Sequence, residues 1–289
     1  MENNKAWLIA PSNKLSSDQF LLSKERLISM GFQPFYRSDI LRKDLYFAGT
    51  LSRRVDEIND AFSSSNGSFV FAIKGGYASM ELLANLDWDL ILSSKKSFMG
   101  HSDITALLVG FYKKNYSGVL VHGPNIGSKL TWSDDVKYLD LLKSCLKGDD
   151  YSFEVLSSAK FLNKSDFKGK IFGGNLRIIC HLFGTEFEIQ PSDGDVLFFE
   201  DVRERPASIY TMLLQLYLSG KLNHVKAILL GHMNKSGKYL PLLERFLRRL
   251  DIPVIYELPL GHESSMIPIR LGDTVSFDSI TNTLSFSKF

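Results

Sequence analysis

Lys95–Tyr112, KKSFMGHSDITALLVGFY, decides how the rest of the chain is read. A short apolar segment, Ser97–Gly100, runs into a polar corner, His101-Ser102-Asp103. Ile104, Leu107, Leu108 and Phe111 then recur at i, i+3, i+4 and i+7, the spacing of an amphipathic helix. The pattern predicts a strand, a tight turn and a helix start, with Ser102 at the turn. A serine there can hold its hydroxyl clear of the sheet while the free N–H groups of the first helical turn point at whatever binds. One reading makes Ser102 a nucleophile, with the N–H of Asp103 helping to stabilise an oxyanion. The other makes Ser102 or Asp103 a helix cap, the common role of such a pair before an apolar helix. The usual G-x-S-x-G elbow is not matched, since Ile104 stands where the second glycine would be.

On the N-terminal side, Ala6–Ala10 (AWLIA) reads as a buried strand closed by Pro11-Ser12. Phe20 to Met30 has helical spacing and stops at Gly31, Phe32–Tyr36 returns to strand, and Leu51–Phe62 is an amphipathic helix with a charged outer face. Ser68–Ile73 (SFVFAI) is a continuous apolar strand ending in Lys74-Gly75-Gly76-Tyr77, followed by a helix from Ser79 to Asn85. Asp89–Leu92 and Ser97–Gly100 read as strand pieces, and Gly118–His122 as a strand ending in Gly123-Pro124-Asn125. Short apolar strands alternating with amphipathic helices imply a parallel sheet covered on both faces.

After Asn125 the pattern changes. A helix is expected over Asp134–Leu146, then a polar stretch over Lys147–Lys170 that reads as a linker. The expected organisation is an N-terminal Rossmann-like domain over 1–146, the linker over 147–170, and a smaller C-terminal α/β domain over 171–289. In the second unit Asp195–Phe199 (DVLFF) is a buried strand ending at Glu200-Asp201, and Ala207–Leu218 is an apolar helix. Lys226–Leu230 reads as strand, Leu240–Leu250 as helix, and Pro253–Leu260 leads into Gly261-His262-Glu263. The tail alternates like an antiparallel hairpin.

The 289 residues, 44% hydrophobic and 23% charged, are those of a globular protein, and a net charge of +2 without a basic run argues against a nucleic-acid footprint. The start has no apolar core of signal-peptide length, and no stretch approaches the roughly 18 apolar residues a membrane helix needs. Cys145 and Cys180 are too few for a zinc cluster or a disulfide framework, and two lone thiols fit a reducing cytoplasm.

Ser102, Glu200 and His262 share one feature: each lies at the carboxyl end of an expected strand, where loops converge on ligands in open α/β sheets. A serine, a carboxylate and a histidine there are the parts of a hydrolytic triad, and convergent triads occur in several chain orders. Asp201 and Glu204 compete for the acid. Glu200 is favoured over Asp201, which points to the opposite face if the strand continues.

The wording around these residues carries more. KGGYASMELL, FMGHSDITALL, VHGPN, GGNL, LFFEDV and LPLGH follow one another in the order of the landmarks of the LD-carboxypeptidase family, which the chain resembles over nearly its whole length. That family comprises serine peptidases and includes murein tetrapeptide carboxypeptidases and microcin C immunity peptidases. The resemblance implies Ser102 as nucleophile, Glu200 as acid and His262 as base. It places the oxyanion donors on the N–H groups of Asp103 and of a glycine in Lys74-Gly75-Gly76, most simply Gly76. It also implies a Rossmann-like N-terminal domain, no metal, no cofactor and a homodimer. The expected substrate is a small peptide, foremost the L,D-amide to the terminal D-alanine of a murein tetrapeptide. The alternatives are a peptidyl-nucleotide amide, as for the microcin peptidases, and a non-catalytic binding module on the same fold. Nucleic acid and membrane are not expected as partners.

Three positions depart from the family pattern: Lys74 replaces an arginine, Ala78 a glycine and His101 a tyrosine beside the nucleophile. Lys74 keeps a charge without the two-pronged fit of a guanidinium. Lys74, His101 and Asn175 are the expected substrate-facing residues, Asn175 having a helix cap as its simpler role. His122 either lines the cleft or makes a structural hydrogen bond. His181 is expected in a core or interface, and His224 and His232 in a loop and at a strand end, without metal-ligand spacing.

Overall fold

The computed structural model describes residues 4–128, 135–263 and 265–288. The apolar runs of the first half become β1 (Lys5–Ile9), β2 (Gln33–Phe35), β3 (Phe69–Ala72), β4 (Ser97–Gly100) and β5 (Leu120–His122). They pair in parallel in the order β5-β4-β3-β1-β2. The residues of β3, β4 and β5 are all buried, as a sheet covered on both faces requires. The covering helices are α1 (Ser17–Ser29), α2 (Leu51–Ser63), α3 (Trp88–Ser93) and α4 (Thr105–Lys113).

Two local expectations need correction. Asp89–Leu92 is not strand but the body of α3, because Asp87 caps the turn by accepting the N–H of Leu90 at 3.0 Å. The helix expected from Ser79 is a 3₁₀ turn, Ser79–Ala84, entered from Ala78 at φ +67°.

The second half continues with α5 (Val136–Lys147), β6 (Tyr151–Glu154), β7 (Lys160–Leu162), β8 (Phe167–Asn175), α6 (Leu176–His181) and β9 (Val196–Val202). It goes on through α7 (Pro206–Leu218), β10 (Ala227–Asn234), α8 (Leu240–Leu247), β11 (Val254–Leu258), β12 (Ile269–Arg270), β13 (Thr274–Asp278) and β14 (Thr283–Ser287). Asp134, where the first of these helices was expected to open, lies outside the described residues. A second sheet runs β6-β14-β13-β8-β9-β10-β11-β7, with β8 to β11 parallel and antiparallel strands on both flanks.

The stretch 147–170, expected as a linker, supplies both edge strands of that sheet. Its polar residues hid an apolar face. Tyr151 stacks on Phe286 with ring centroids 4.7 Å apart, and Phe167 on Phe277 at 5.5 Å. Edge strands keep one side wet, so their composition resembles a loop. With these strands included, the C-terminal unit, expected to be the smaller, holds the wider sheet among the described residues.

One short segment joins the two sheets. β12 pairs antiparallel with β5, Ile269 opposite His122, and the N–H of Leu271 donates to Leu120 O at 2.8 Å. Immediately after it, Gly272 N donates to Ile171 O at 2.7 Å and Ile171 N to Asp273 O at 2.8 Å. Five residues thus bond to strands of both sheets, and His122 at the end of β5 lies 3.8 Å from Glu200 of β9.

Candidate active site

Ser102 sits two residues past β4, after an extended His101, with φ +63°. A left-handed backbone at a non-glycine residue costs about 1–3 kcal/mol and persists only where the surroundings impose it. The surroundings here are hydrogen bonds. Asn125, from the loop after β5, accepts the His101 N–H at 3.2 Å and donates to the His101 carbonyl at 3.3 Å. On the other side, the Asp103 carboxylate accepts the Ser12 hydroxyl and, at 2.9 Å, the N–H of Ser79. The Ser79 hydroxyl donates to the Asp103 carbonyl. The Asp103 side chain therefore ties the turn to the loops after β1 and β3. Burial raises its pKa, and the Ser12 and Ser79 hydrogen bonds oppose that rise.

The β3 loop comes close to the serine. A Cβ on Gly75 would stand 3.0 Å from Ser102 Cβ and 3.2 Å from its Oγ, so a larger residue there would crowd the hydroxyl. Gly76 takes φ +145° with Asn13 packed where its Cβ would be. Lys74 is partly exposed and its ammonium donates to the Lys14 carbonyl at 3.4 Å.

Glu200 lies inside β9 rather than beyond it, fully buried, and its Oε2 is 2.8 Å from Nδ1 of His262. The carboxylate passes beneath Gly261, where a Cβ would fall 1.9 Å from Oε2. A buried carboxylate is strongly destabilising unless paired. Burial alone would raise the Glu200 pKa, but the charge and hydrogen bond of His262, with His122 and His101 behind it, outweigh burial and hold it at about 2. The same pair raises His262 above 6.5, since the attraction of Glu200 exceeds the lowering effect of burial. Among the described residues that is the only hydrogen bond of the His262 ring, leaving Nε2 free to accept a proton.

Two further imidazoles surround this pair. The His101 ring lies edge-on to the His262 ring, centroids 4.8 Å apart, and burial with the charge of His262 lowers its pKa well below 6.5. His101 is 2% exposed, so it lies against His262 rather than open to a ligand. Its Nδ1 is 3.2 Å from the Gly123 carbonyl and from the Asn125 N–H. His122 is fully buried, with Nε2 3.8 Å from Glu200 Oε1, and burial lowers it to about 4. Of the three, only His262 is set to carry a proton near neutrality.

Of the two roles open to Asn175, helix cap and ligand-facing amide, the structure shows the cap, the simpler of the two, with the amide turned inward. Its Oδ1 accepts the Ile178 N–H at 3.2 Å as the cap of α6, and its Nδ2 donates to Asp201 at 3.0 Å and to Glu200 at 3.4 Å. Asp201 points the other way along β9 and accepts the N–H groups of Arg177 and Val202. Burial and the adjacent Glu200 push its pKa up to about 7. Glu204 pairs instead with Arg177 at 2.6 Å. His181, expected in a core or interface, is exposed; His224 pairs with Asp193 at 3.0 Å, and His232 lies 2.7 Å from Glu263.

The residues missed by sequence reasoning are Ser12, Ser79 and Asn125, which hold the Ser102 turn, and Asn234, which donates to the His262 carbonyl at 2.7 Å. A signal was present for Ser12 and Asn125: each is a polar residue just past the carboxyl end of a strand. Ser79 and Asn234 had none.

Known proteins resemble this chain at both levels. Two family models match it, the LD-carboxypeptidase N-terminal domain over residues 7–123 and the LD-carboxypeptidase C-terminal domain over 168–277. The microcin C7 self-immunity protein MccF of Escherichia coli is 27% identical over 314 residues, 96% of this chain and 91% of that one. The crystal structure of muramoyltetrapeptide carboxypeptidase from Oxalobacter formigenes superposes with a TM-score of 0.86 at 29% identity, covering 99% of each chain. A structure of MccF in complex with glutamyl sulfamoyl guanosine gives a TM-score of 0.88 at 22% identity, over 100% of this chain and 97% of that one, a likeness of fold. The chain belongs to the LD-carboxypeptidase family of peptidases.

Proposed function

We propose that the protein is a serine-type carboxypeptidase in which Ser102 is the nucleophile, His262 the base and Glu200 the residue that orients it. The observation that carries this is the Glu200–His262 hydrogen bond at 2.8 Å, with the ring of His101, the residue before Ser102, 4.8 Å from that of His262. Nε2 of His262 takes the Ser102 proton as Oγ attacks the scissile carbonyl, and the N–H groups of Asp103 and Gly76 receive the oxyanion. His262 then passes the proton to the departing amine. A water deprotonated by the same imidazole releases the acyl group and restores Ser102. Glu200 fixes the tautomer that leaves Nε2 unprotonated and stabilises the imidazolium that forms. Lys74 supplies the cation for the terminal carboxylate of the substrate.

The substrate in this reading is the L,D-amide that joins the terminal D-alanine to the diamino acid within a murein tetrapeptide, acted on by a cytoplasmic homodimer. Support comes from the muramoyltetrapeptide carboxypeptidase of O. formigenes, similar over 99% of both chains. Among the described residues no helix is long and apolar enough to cross a membrane. The test is hydrolysis of a murein tetrapeptide and of an aminoacyl sulfamoyl adenylate, side by side. Release of D-alanine with the higher kcat/KM supports the proposal. Preference for the adenylate assigns the microcin-like activity, and turnover of neither leaves a binding module on a peptidase fold.

A further inference from the structure

The loop that carries His262 turns tightly on itself, Glu263 N donating to Gly261 O at 2.9 Å. Among the described residues, three side chains bond Gly261–Glu263 to the rest of the protein: Glu200 of β9, and Asn234 and His232 of β10. They act on different parts of the loop. Glu200 holds the imidazole, whereas the Asn234 amide donates to the His262 carbonyl at 2.7 Å and also to the Glu263 carboxylate. Oε1 of that carboxylate lies 2.7 Å from Nδ1 of His232.

An irregularity in β10 places these side chains. Its pairing with β9 shifts register between Leu230 and Met233, and its pairing with β11 between Leu229 and Gly231. Such a bulge re-aims side chains. Gly231 lets the strand come close, since a Cβ there would stand 2.8 Å from Leu260 Cβ and 2.9 Å from Glu200 Cβ. His232 and Asn234, two residues apart, both reach Glu263, with Met233 buried between them. Asn234 is fixed to the sheet, opposite Val202 of β9, and its carbonyl accepts the Arg203 N–H at 2.7 Å. His232 is the outer member, partly exposed to a cavity of about 320 Å³ that Asn234, Lys235, Tyr239 and Glu263 also line. On its other side Glu257 lies 4.0 Å from Nε2 and accepts the Tyr239 hydroxyl at 2.6 Å. Contact with Glu263 raises the His232 pKa above 6.5 against the lowering effect of burial. Burial would raise Glu263, but His232 and Asn234 outweigh it and lower the carboxyl. With the ring protonated the contact joins opposite charges, the stronger kind. A base on a loop meets its acid only as well as the loop is held, and a shift of about 1 Å can cost about a hundredfold in rate.

We propose that His232 and Glu263 are positioning residues for the catalytic base: with Asn234 they fix the backbone of His262 and so keep its Nδ1 on Glu200. The proposal rests on the reading of His262 as base. In the full chain the His262 ring is titrated by NMR, its signal assigned by its loss in His262→Asn. Alongside, kcat and KM are measured on whichever of the tetrapeptide and the adenylate is turned over. His232→Leu should lower the His262 midpoint toward 6.5, because a loosened loop weakens the Glu200 contact that raises it. Loss of a positive charge alone would raise that midpoint, so the sign separates positioning from charge. The other charges facing His262, on Glu200, Asp201 and Arg203, are kept. In the same variant kcat should fall about ten- to a hundredfold with KM within about twofold of wild type. His232→Asn, whose amide can stand where Nδ1 does, should recover most of the loss. Glu263→Ala should cost at least as much in kcat, and adding His232→Leu to it should cost no more, since the two act in one chain of contacts. His224→Leu, which removes an imidazole paired with Asp193 at 3.0 Å on the surface, should match wild type. A His262 midpoint unmoved or raised in His232→Leu, or an unchanged kcat, overturns the positioning and leaves His262 as base. Wild-type turnover in His262→Asn overturns the base itself, and the positioning with it.

Discussion

Glu200 and His262 meet at 2.8 Å through Oε2 and Nδ1, and the carboxylate that makes this contact is wholly buried while the imidazole side chain is 19% exposed. The charge is fixed inside the protein and the titrating ring opens outward. Because Glu200 raises His262 above 6.5, kcat/KM should rise with pH as the ring loses its proton, with a midpoint above 6.5. Glu200→Gln keeps the shape and removes the charge. It should lower kcat by about 10²–10⁴-fold, and the residual activity should titrate at a lower pH. An unchanged midpoint in that variant would remove Glu200 from the role.

The same pair makes a prediction for stability. Glu200 is lowered from 4.5 to about 2, so its contribution is present above pH 4.5 and fades as pH falls toward 2. His262 is raised above 6.5, so its contribution is complete below pH 6.5 and fades as pH rises through the folded-state value. The difference in unfolding free energy between wild type and Glu200→Gln should therefore be largest between pH 4.5 and 6.5. Urea midpoints at pH 3, 5.5 and 9 would show it, and a flat difference would contradict it.

Ser102 offers a separation of chemistry from strain. Ser102→Ala deletes the hydroxyl and leaves a Cβ at φ +63°, so turnover should fall by several orders of magnitude with little change in melting temperature. Ser102→Gly deletes the hydroxyl and relieves the left-handed residue, a gain of about 1 kcal/mol partly offset by the freedom of glycine in the unfolded chain. It should be equally inactive and at least as stable as Ser102→Ala. Either variant keeping a tenth of wild-type activity would exclude Ser102 as nucleophile.

Gly261 has no room for a side chain. Its φ of +80° and the 1.9 Å approach of Glu200 Oε2 to a Cβ mean that Gly261→Ala must displace the carboxylate or the loop bearing His262. Activity should fall at least a hundredfold, and the melting temperature should drop by several degrees. Wild-type kcat in this variant would show that the alignment of the pair is not needed.

What could be read in the sequence follows from how local each signal is. The strand, corner and helix around Ser102 were legible because their apolar spacing is set within 18 residues, and DVLFF and PVIYELPLG marked the strands that deliver Glu200 and His262. The α/β class was legible for the same reason. The edge strands β6 and β7 were not, because their apolar residues are spaced among polar ones and find their partners, Phe286 and Phe277, more than a hundred residues on. The clamp of Ser12 and Ser79 on Asp103 joins three loops that only the sheet order brings together. Asn175 shows the limit of reading a polar residue at a strand end as ligand-facing: its amide is taken up by Asp201, Glu200 and the α6 cap.

Lys74 carries the last prediction, on substrate recognition. A carboxypeptidase has to hold the free carboxylate of its substrate, and a cation beside the catalytic serine is its natural partner. Lys74 directly precedes Gly75, which packs against Ser102, and its ammonium makes a long hydrogen bond of 3.4 Å to the Lys14 carbonyl. A bond of that length to a neutral acceptor is readily exchanged for a carboxylate, so turning the side chain into the cleft costs little. A lysine gives a single point of charge without the planar fork, so the attraction should be modest and should weaken with salt. Lys74→Arg should therefore hold or lower KM, and Lys74→Met should raise KM several-fold with kcat little changed. The rise should shrink as ionic strength increases, because screening already weakens the wild-type contact. A substrate amidated at its C-terminus should be insensitive to the Met substitution. If Lys74→Met cleaves the carboxylate-terminated peptide with unchanged KM, the carboxylate is held by another group and Lys74 serves only to anchor Lys14.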